Sequence, residues 1–283
     1  MRWILLNTVF SALAGCASLD MDKAHRPTDA GITRYARFCA GGQEAYGIVE
    51  GDTIHEIKGD LFGARQRTGR SYRLAEVKML VPARPTKVLG MAGNYTSHLS
   101  TQPKPSNPEL FFKAPSCLIG PGDAVVLPAG SKEVHLEGEL VVVMGKRARN
   151  VSEAEALDYV LGVTCGNDIS ARDWQANDRQ WWRAKGSDTF GPCGPFVVAG
   201  VNYDDLLLTS RVNGQVTQQQ RTSDMIFNCS QIVSFASRHV TLEPGDLIFT
   251  GTMGKTPAIK PGDVLEVEIE HVGVLRNPVV AEK

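Results

Sequence analysis

The sequence predicts an α+β fold that is mostly β, and three observations predict it. Short apolar or alternating segments recur along the chain, Gly- and Pro-containing turns punctuate them, and no strand–helix series alternates as a doubly wound parallel sheet requires. From Ile32 to Tyr72 the segments ITRYARFC, EAYGIVE and DTIHEIKG, split by Gly-Gly and Gly-Asp turn signals, predict a small antiparallel β domain over 32–80. The linker VPARPTK leads into an apolar strand, Lys87 to Met91, and opens a larger domain over 86–283. Thr96 to Pro108 is polar, proline-rich and without hydrophobic period, the composition of a lid. LFFK, DAVVLP and ELVVVMG follow as strands. Ser152 with Glu155 three residues later forms a capping box that predicts a helix over Ser152 to Tyr159. LGVTCGNDISARDWQ starts as a buried strand or helix end and breaks at Gly166-Asn167. GPFVVAG, TSRVNGQV with its Asn213-Gly214 turn, HVTLEPGDLIFTG and PGDVLEVEIEHVGVL return to β, and MIFNCSQIVSFASRHV is a second helix.

Composition narrows the function. The 283 residues are 42% hydrophobic and 22% charged, an ordinary folded chain. Thirty Lys and Arg against 31 Asp and Glu leave no basic excess to attract phosphate backbones, which excludes nucleic acid as a partner. Six cysteines fall in no pattern with zinc-ligand spacing.

The first residues form a separate object. One Arg, an apolar run from Trp3 to Leu13 and then small residues fit a signal peptide over 1–15, since the run is too short to span a bilayer. Leu13-Ala14-Gly15-Cys16 resembles the lipobox of bacterial lipoproteins, with Cys16 as the lipidated mature terminus and 16–31 as a tether. The expectation is a lipid-anchored protein facing the periplasm or exterior. The alternative is a start at Met21 and a cytoplasmic protein.

The chemistry concentrates in His135-Leu136-Glu137-Gly138-Glu139 and the apolar run after it. On a strand, Glu137 and Glu139 would share a face about 6.5–7 Å apart, a costly pair of like charges unless water screens them or a cation joins them. Asp168, at the break after Gly166-Asn167, adds a third carboxylate, with Arg172, Gln175 and Lys185 close behind. Three carboxylates suit an oxygen-liganded divalent cation, and a nearby lysine suits a developing oxyanion. A solvated edge strand and a surface ion pair are the plainer alternatives.

Taken together, GNYTSH, HLEGELVVVMGK, GNDISARDWQ, AKGSDTFGPCGP and DLIFTGT resemble, in order and spacing, the fumarylacetoacetate hydrolase family across about residues 32–280. The resemblance implies a mixed β-roll and a homodimeric, metal-dependent enzyme acting on small 2-oxo or 2,4-dioxo acids. Glu137, Glu139 and Asp168 would bind Mg²⁺, or Mn²⁺ or Ca²⁺. Lys185 would sit by the substrate's oxo group, Arg172 and Gln175 would line the pocket, Thr252 would hydrogen-bond the substrate, and His98 would transfer protons from the lid. The implied reaction is hydrolysis of a carbon–carbon bond in a 2,4-dioxo acid. Isomerisation or decarboxylation of a 2-oxo or 2-hydroxymuconate-type diacid is the alternative, and a membrane-tethered 2-oxo acid binding protein without turnover is the third reading.

The sequence also departs from the pattern. In the acylpyruvate-hydrolysing and oxaloacetate-decarboxylating branch a Glu three residues after the lid histidine pairs with it; here that position is Thr101, and Glu109 is the nearest substitute. Met253 stands where the family has Pro. His135 is either a polar residue at a strand start or a partner standing behind Glu137. Cys117, Cys165, Cys193 and Cys229 read as buried thiols, and Trp181-Trp182 as core or dimer interface, with pocket wall the alternative.

Overall fold

A computed structural model of the protein describes residues 31–283. The leader 1–15, Cys16, Met21 and the tether up to residue 30 lie outside the described residues. Among the described residues no helix is long and apolar enough to cross a membrane.

The first part of the chain is the expected meander: β1 (Thr33–Ala40), β2 (Gln43–Glu50), β3 (Thr53–Gly59) and β4 (Arg65–Arg73), with β5 (Lys78–Met79) returning beside β1. Then come β6 (Val88–Ala92), a single turn α1 (Thr96–Leu99), β7 (Glu109–Lys113), β8 (Leu118–Ile119), β9 (Val125–Leu127), β10 (Val134–His135) and β11 (Gly138–Met144). The chain continues through β12 (Val160–Asn167), β13 (Ser170–Ala171), α2 (Arg172–Asn177), α3 (Trp182–Gly186) and β14 (Gly191–Ala199). It ends with β15 (Leu207–Val212), β16 (Gln215–Arg221), α4 (Cys229–His239), β17 (Leu247–Phe249), β18 (Val264–Ile269) and β19 (Gly273–Ala281).

A twelve-stranded sheet runs β4-β3-β2-β1-β14-β12-β11-β17-β6-β7, with β5 and β8 attached beside β1 and β14. Because β1 pairs antiparallel with β14, Thr33 opposite Ala199, the N-terminal meander continues the sheet that carries β11 and β12. A five-stranded sheet, β16-β15-β18-β19-β9, packs against it, and β10 pairs with β13 beside them. The unbroken apolar run of β11 has a simple cause: both of its faces are covered. Leu140, Val142 and Met144 pack with Val267, Ile269 and Leu275 of the second sheet and with Ile232 and Val233 of α4. Val141 and Val143 pack with Tyr35, Leu61, Leu247 and Phe249 on the other side. Each such side chain contributes about 1.5–3 kcal/mol by leaving water.

The two expected helices fare differently. α4 forms, opened by a reciprocal cap in which Asn228 accepts from the Gln231 backbone and the Gln231 side chain accepts from the Asn228 N–H. The segment Ser152 to Tyr159 is not an α-helix but turns ending in a 3₁₀ turn, Ala156–Tyr159. Ser152 does donate to Glu155 (Oγ–Oε2, 2.6 Å), yet Val160 begins β12 at once, and a cap cannot offset the cost of nucleating so short a helix. All five described cysteines are free thiols, and Cys117, Cys165, Cys193 and Cys229 are buried.

Candidate active site

The antiparallel register of β11 and β12 builds the site. Gly138 faces Asn167 and Glu139 faces Gly166, so Glu137, just before β11, comes opposite Asp168, just after β12. The Asp168 N–H donates to the Glu137 carbonyl at 2.8 Å, and the Asn167 side chain accepts from the Glu137 N–H at 2.9 Å. Glu137 therefore precedes the strand instead of sharing its pleat with Glu139. Even so, carboxylate oxygens of Glu137, Glu139 and Asp168 lie within 4.8 Å of one another, and all three residues are buried. Gly138 between the glutamates is required by packing, since a Cβ there would overlap the Ser210 hydroxyl and press on Leu208.

Three cations face these acids. Lys185, buried in α3, reaches Glu137 Oε2 at 2.5 Å and Asp168 Oδ2 at 2.7 Å. Arg172, the first residue of α2, donates to Glu137 Oε1, to Gln175 Oε1 at 2.7 Å and to Thr256 Oγ1 at 2.7 Å. The third cation, Lys113 at the end of β7, carries no signal in the sequence, where a lysine closing a strand reads as a surface residue. It is fully buried and donates to Asp168 Oδ1 at 2.5 Å, to the Lys185 carbonyl and to the Phe190 carbonyl at 3.2 Å. His135 stands behind the site: its Nδ1 meets Thr256 Oγ1 at 2.9 Å, and Thr256 in turn accepts from Arg172.

Charge separates the carboxyls. Burial works to raise Glu137, but Lys185 and Arg172 override it and hold this group well below the ordinary carboxylate range. Glu139 goes the other way. Burial and then the charges of Asp168 and Glu137 push it well up, against the Lys185 charge and a hydrogen bond from the Gly251 N–H at 2.7 Å. Lys185 remains a cation above its usual range, because Asp168 and Glu137 overcome its burial. A divalent cation fits this donor set. All three groups offer hard oxygen ligands, they converge, and the crowding that raises Glu139 is what a cation between them relieves.

A cleft of about 770 Å³ opens over the cluster and gathers at its walls every catalytic, substrate-binding and metal residue the sequence singled out except Asp168: His98, Glu137, Glu139, Arg172, Gln175, Lys185 and Thr252. The lid contributes Gln102, Lys104 and Ser106, and alternate residues of β7 contribute Glu109 and Phe111. Trp181 is pocket wall, edge-on to Phe111 with ring centres 5.4 Å apart, while Trp182 is 69% exposed; neither is core. Thr252 lines the cleft, but its hydroxyl donates to the Gly138 carbonyl at 3.0 Å and accepts from Gln218 at 2.9 Å, so its proton is already engaged. Met253 is buried in the main core.

His98 sits in the last turn of α1. Its Nδ1 lies 2.7 Å from the Gly254 carbonyl, and its Nε2 lies 4.0 Å from Glu137 Oε1. A carbonyl only accepts, so Nδ1 carries the hydrogen, and Nε2 is the ring nitrogen left facing the carboxylates. No sequence signal points to Gly254, because the group that acts is its backbone. The loop that bears it begins at Gly251, with φ +98° and a hypothetical Cβ only 2.7 Å from that of Asn94, a position for glycine.

The profile of the family described as fumarylacetoacetate (FAA) hydrolase, C-terminal, matches residues 87–280. The chain belongs to the fumarylacetoacetate hydrolase family. A second profile, described as Rv2993c-like, N-terminal, matches residues 33–82. Among solved structures of the family, a 2-hydroxyhepta-2,4-diene-1,7-dioate isomerase from Mycobacterium marinum is similar, with 42% identity over 88% of this chain and 99% of that one and a TM-score of 0.84. A mitochondrial oxaloacetate tautomerase of Bos taurus is 41% identical over 73% of this chain and 70% of its own length. A maleylpyruvate hydrolase from Sphingobium sp. SYK-6, in complex with manganese(II) and pyruvate, is 30% identical over 88% of this chain and all of that one, with a TM-score of 0.74. The fold expected from the resemblance is thus the fold of the protein. Members of the family are enzymes, and those named here include an isomerase, a tautomerase and a hydrolase.

Proposed function

We propose that the protein is a divalent-metal-dependent tautomerase or isomerase that interconverts enol and keto forms of a small 2-oxo dicarboxylic acid. The observation that carries this reading is the setting of His98. Its Nδ1 is held by a backbone carbonyl and its Nε2 is aimed into the cleft, which suits moving one proton; the carboxylate partner that would make it a strong base toward water is missing at Thr101. The likeness to a named isomerase and a named tautomerase supports the same choice.

Glu137, Glu139 and Asp168 would hold Mg²⁺ or Mn²⁺. When bound, such an ion supplies Lewis-acid stabilisation of negative charge on a chelating oxo acid. His98 Nε2 takes a proton from C3 of the keto acid while Lys185 places its ammonium where negative charge gathers on the 2-oxygen; the proton held on Nε2 is then given to that oxygen, which completes the enol and restores the ring. The reverse sequence regenerates the ketone, so no water is consumed and no carbon–carbon bond breaks. Arg172, Lys113 and Lys185 balance the three carboxylates, and a divalent ion leaves two positive charges, the complement of a dicarboxylate.

Hydrolysis is the second reading, favoured by Glu109, whose carboxylate lines the same cleft and could activate water. Among the described residues no hydrogen bond joins it to His98. Ultraviolet assays of enolic oxaloacetate, run beside acylpyruvate cleavage, decide between them. Metal-dependent loss of enol absorbance, abolished by His98→Ala and by chelation, is expected, with cleavage at least about 100-fold slower. Cleavage as the faster reaction would replace tautomerisation with hydrolysis.

A further inference from the structure

His98 is the end of a longer chain of hydrogen bonds. Ser97, its neighbour on α1, donates from Oγ to Gln220 Oε1 on β16 at 2.6 Å, and Gln220 Nε2 donates to Asp224 Oδ2 at 3.0 Å. Ser97 Oγ also accepts from the Gly254 N–H at 3.0 Å, while the Gly254 carbonyl accepts from His98 Nδ1 at 2.7 Å. Two adjacent side chains of one helical turn therefore grip one residue of the loop by both its amide and its carbonyl. Every bond runs in a consistent direction, from His98 and Gly254 outward to a carboxylate, so each donor is polarised by the next acceptor. None of Ser97, Gln220, Asp224 and Gly254 lines the cleft.

We propose that Ser97, Gln220 and Asp224 are positioning residues that fix the tautomer and aim of His98 through Gly254, taking the part of the lid carboxylate that Thr101 lacks. A glutamate on the lid would touch the imidazole directly. Here Asp224 anchors Gln220, Gln220 turns the Ser97 hydroxyl so that its lone pair meets the Gly254 N–H, and the pinned residue presents its carbonyl to Nδ1. Without that grip the residue is free to rotate, Nδ1 loses its acceptor, and the ring divides between its two tautomers. The form with hydrogen on Nε2 cannot accept a proton from the substrate. Because the three residues stand outside the cleft, their loss lowers turnover and spares binding.

The inference rests on the reading of His98 as the proton-transfer group, so the experiment carries one readout independent of activity. Nitrogen-15 spectra of the histidine rings, assigned with His98→Ala, report the His98 tautomer in the full chain. Steady-state kinetics of enol–keto conversion report kcat and KM. For Ser97→Ala we expect a mixture of His98 tautomers, kcat about 10-fold lower and KM within about twofold. Ser97→Thr, which keeps the hydroxyl, restores both, and Asp224→Asn, at an exposed position that leaves folding intact, gives a smaller change in the same direction. Retention of the Nδ1–H tautomer in both Ser97→Ala and Asp224→Asn would falsify the proposal, as would a rise in KM that accounts for the whole loss. Absence of tautomerase activity in the unaltered protein overturns the proposed reaction instead, and the spectra still decide the relay.

Discussion

The two ends of β17 each meet a buried carboxylate, and the contrast between them locates function. At the start of the strand Asp246, fully buried, accepts five hydrogen bonds: from the backbone and hydroxyl of Thr86, the backbone and ammonium of Lys87, and the backbone of Glu243. It ties the linker ahead of β6 to the turn ahead of β17, and every lone pair has a partner. Past the other end of the strand Glu139, equally buried, accepts among the described residues only the Gly251 N–H and stands among two other acids. Folding satisfies the first carboxylate outright. The second keeps ligand capacity unspent, the signature of a group held for something that binds.

Replacing the unspent group should produce the largest effect on activity. Loss of a partner behind a metal ligand typically costs 10- to 100-fold in affinity or rate, so Glu139→Gln should cost more than about 100-fold in metal-dependent turnover. The same change should stabilise the metal-free protein, with a definite pH dependence. The Glu139 carboxyl is raised in the folded state above its ordinary value of 4.5, so it contributes stability below that value and loses it as pH rises toward the elevated folded value. The melting temperature of Glu139→Gln measured in chelator should therefore exceed that of the unaltered protein by a margin that widens from pH 5 to 8. A margin that shrinks with pH would show that Glu139 is as well satisfied as Asp246.

Asp246→Asn tests the opposite end. An amide retains one acceptor but turns a donor toward the Glu243 N–H and the Lys87 ammonium, and breaking a buried, charged network in this way should cost about 2–4 kcal/mol. Denaturant unfolding should show that loss, while turnover per folded molecule stays within about twofold. A drop in turnover without a drop in stability would erase the distinction between the two ends.

The contrast also marks how much could be read in the sequence. Strands such as ELVVVMG and the Asn213-Gly214 hairpin were legible because apolar runs and turn residues are local signals, and the acids were legible because Glu139 lies at the start of one apolar strand, Glu137 just before it and Asp168 just after another. The register that sets Glu137 opposite Asp168 is a tertiary fact. Lys113 was hidden because nothing local tells a buried lysine from a solvated one, and Gly254 because a carbonyl has no letter of its own. The capping box at Ser152 misled for the reverse reason: a correct local signal, with its side-chain pair formed, preceded a strand that left no room for a helix.

The smallest effect belongs to the lid, where the cleft is open and water screens charge. Lys104 lines the cleft from an exposed position, and among the described residues it has no ion-pair partner. It lies on the lid, apart from Arg172 and Lys185 at the carboxylate cluster, so it can meet the second carboxylate of a dicarboxylate whose 2-oxo end lies by the cluster. An exposed pair of this kind contributes about 0.2–1 kcal/mol, so Lys104→Ala should raise KM for a 2-oxo dicarboxylate by about 1.5- to 5-fold and leave kcat unchanged. A 2-oxo monocarboxylate has no group to reach the lid, and its KM should not move. An equal rise for both would place Lys104 in general attraction of anions, and higher ionic strength would then remove the difference between variant and unaltered protein.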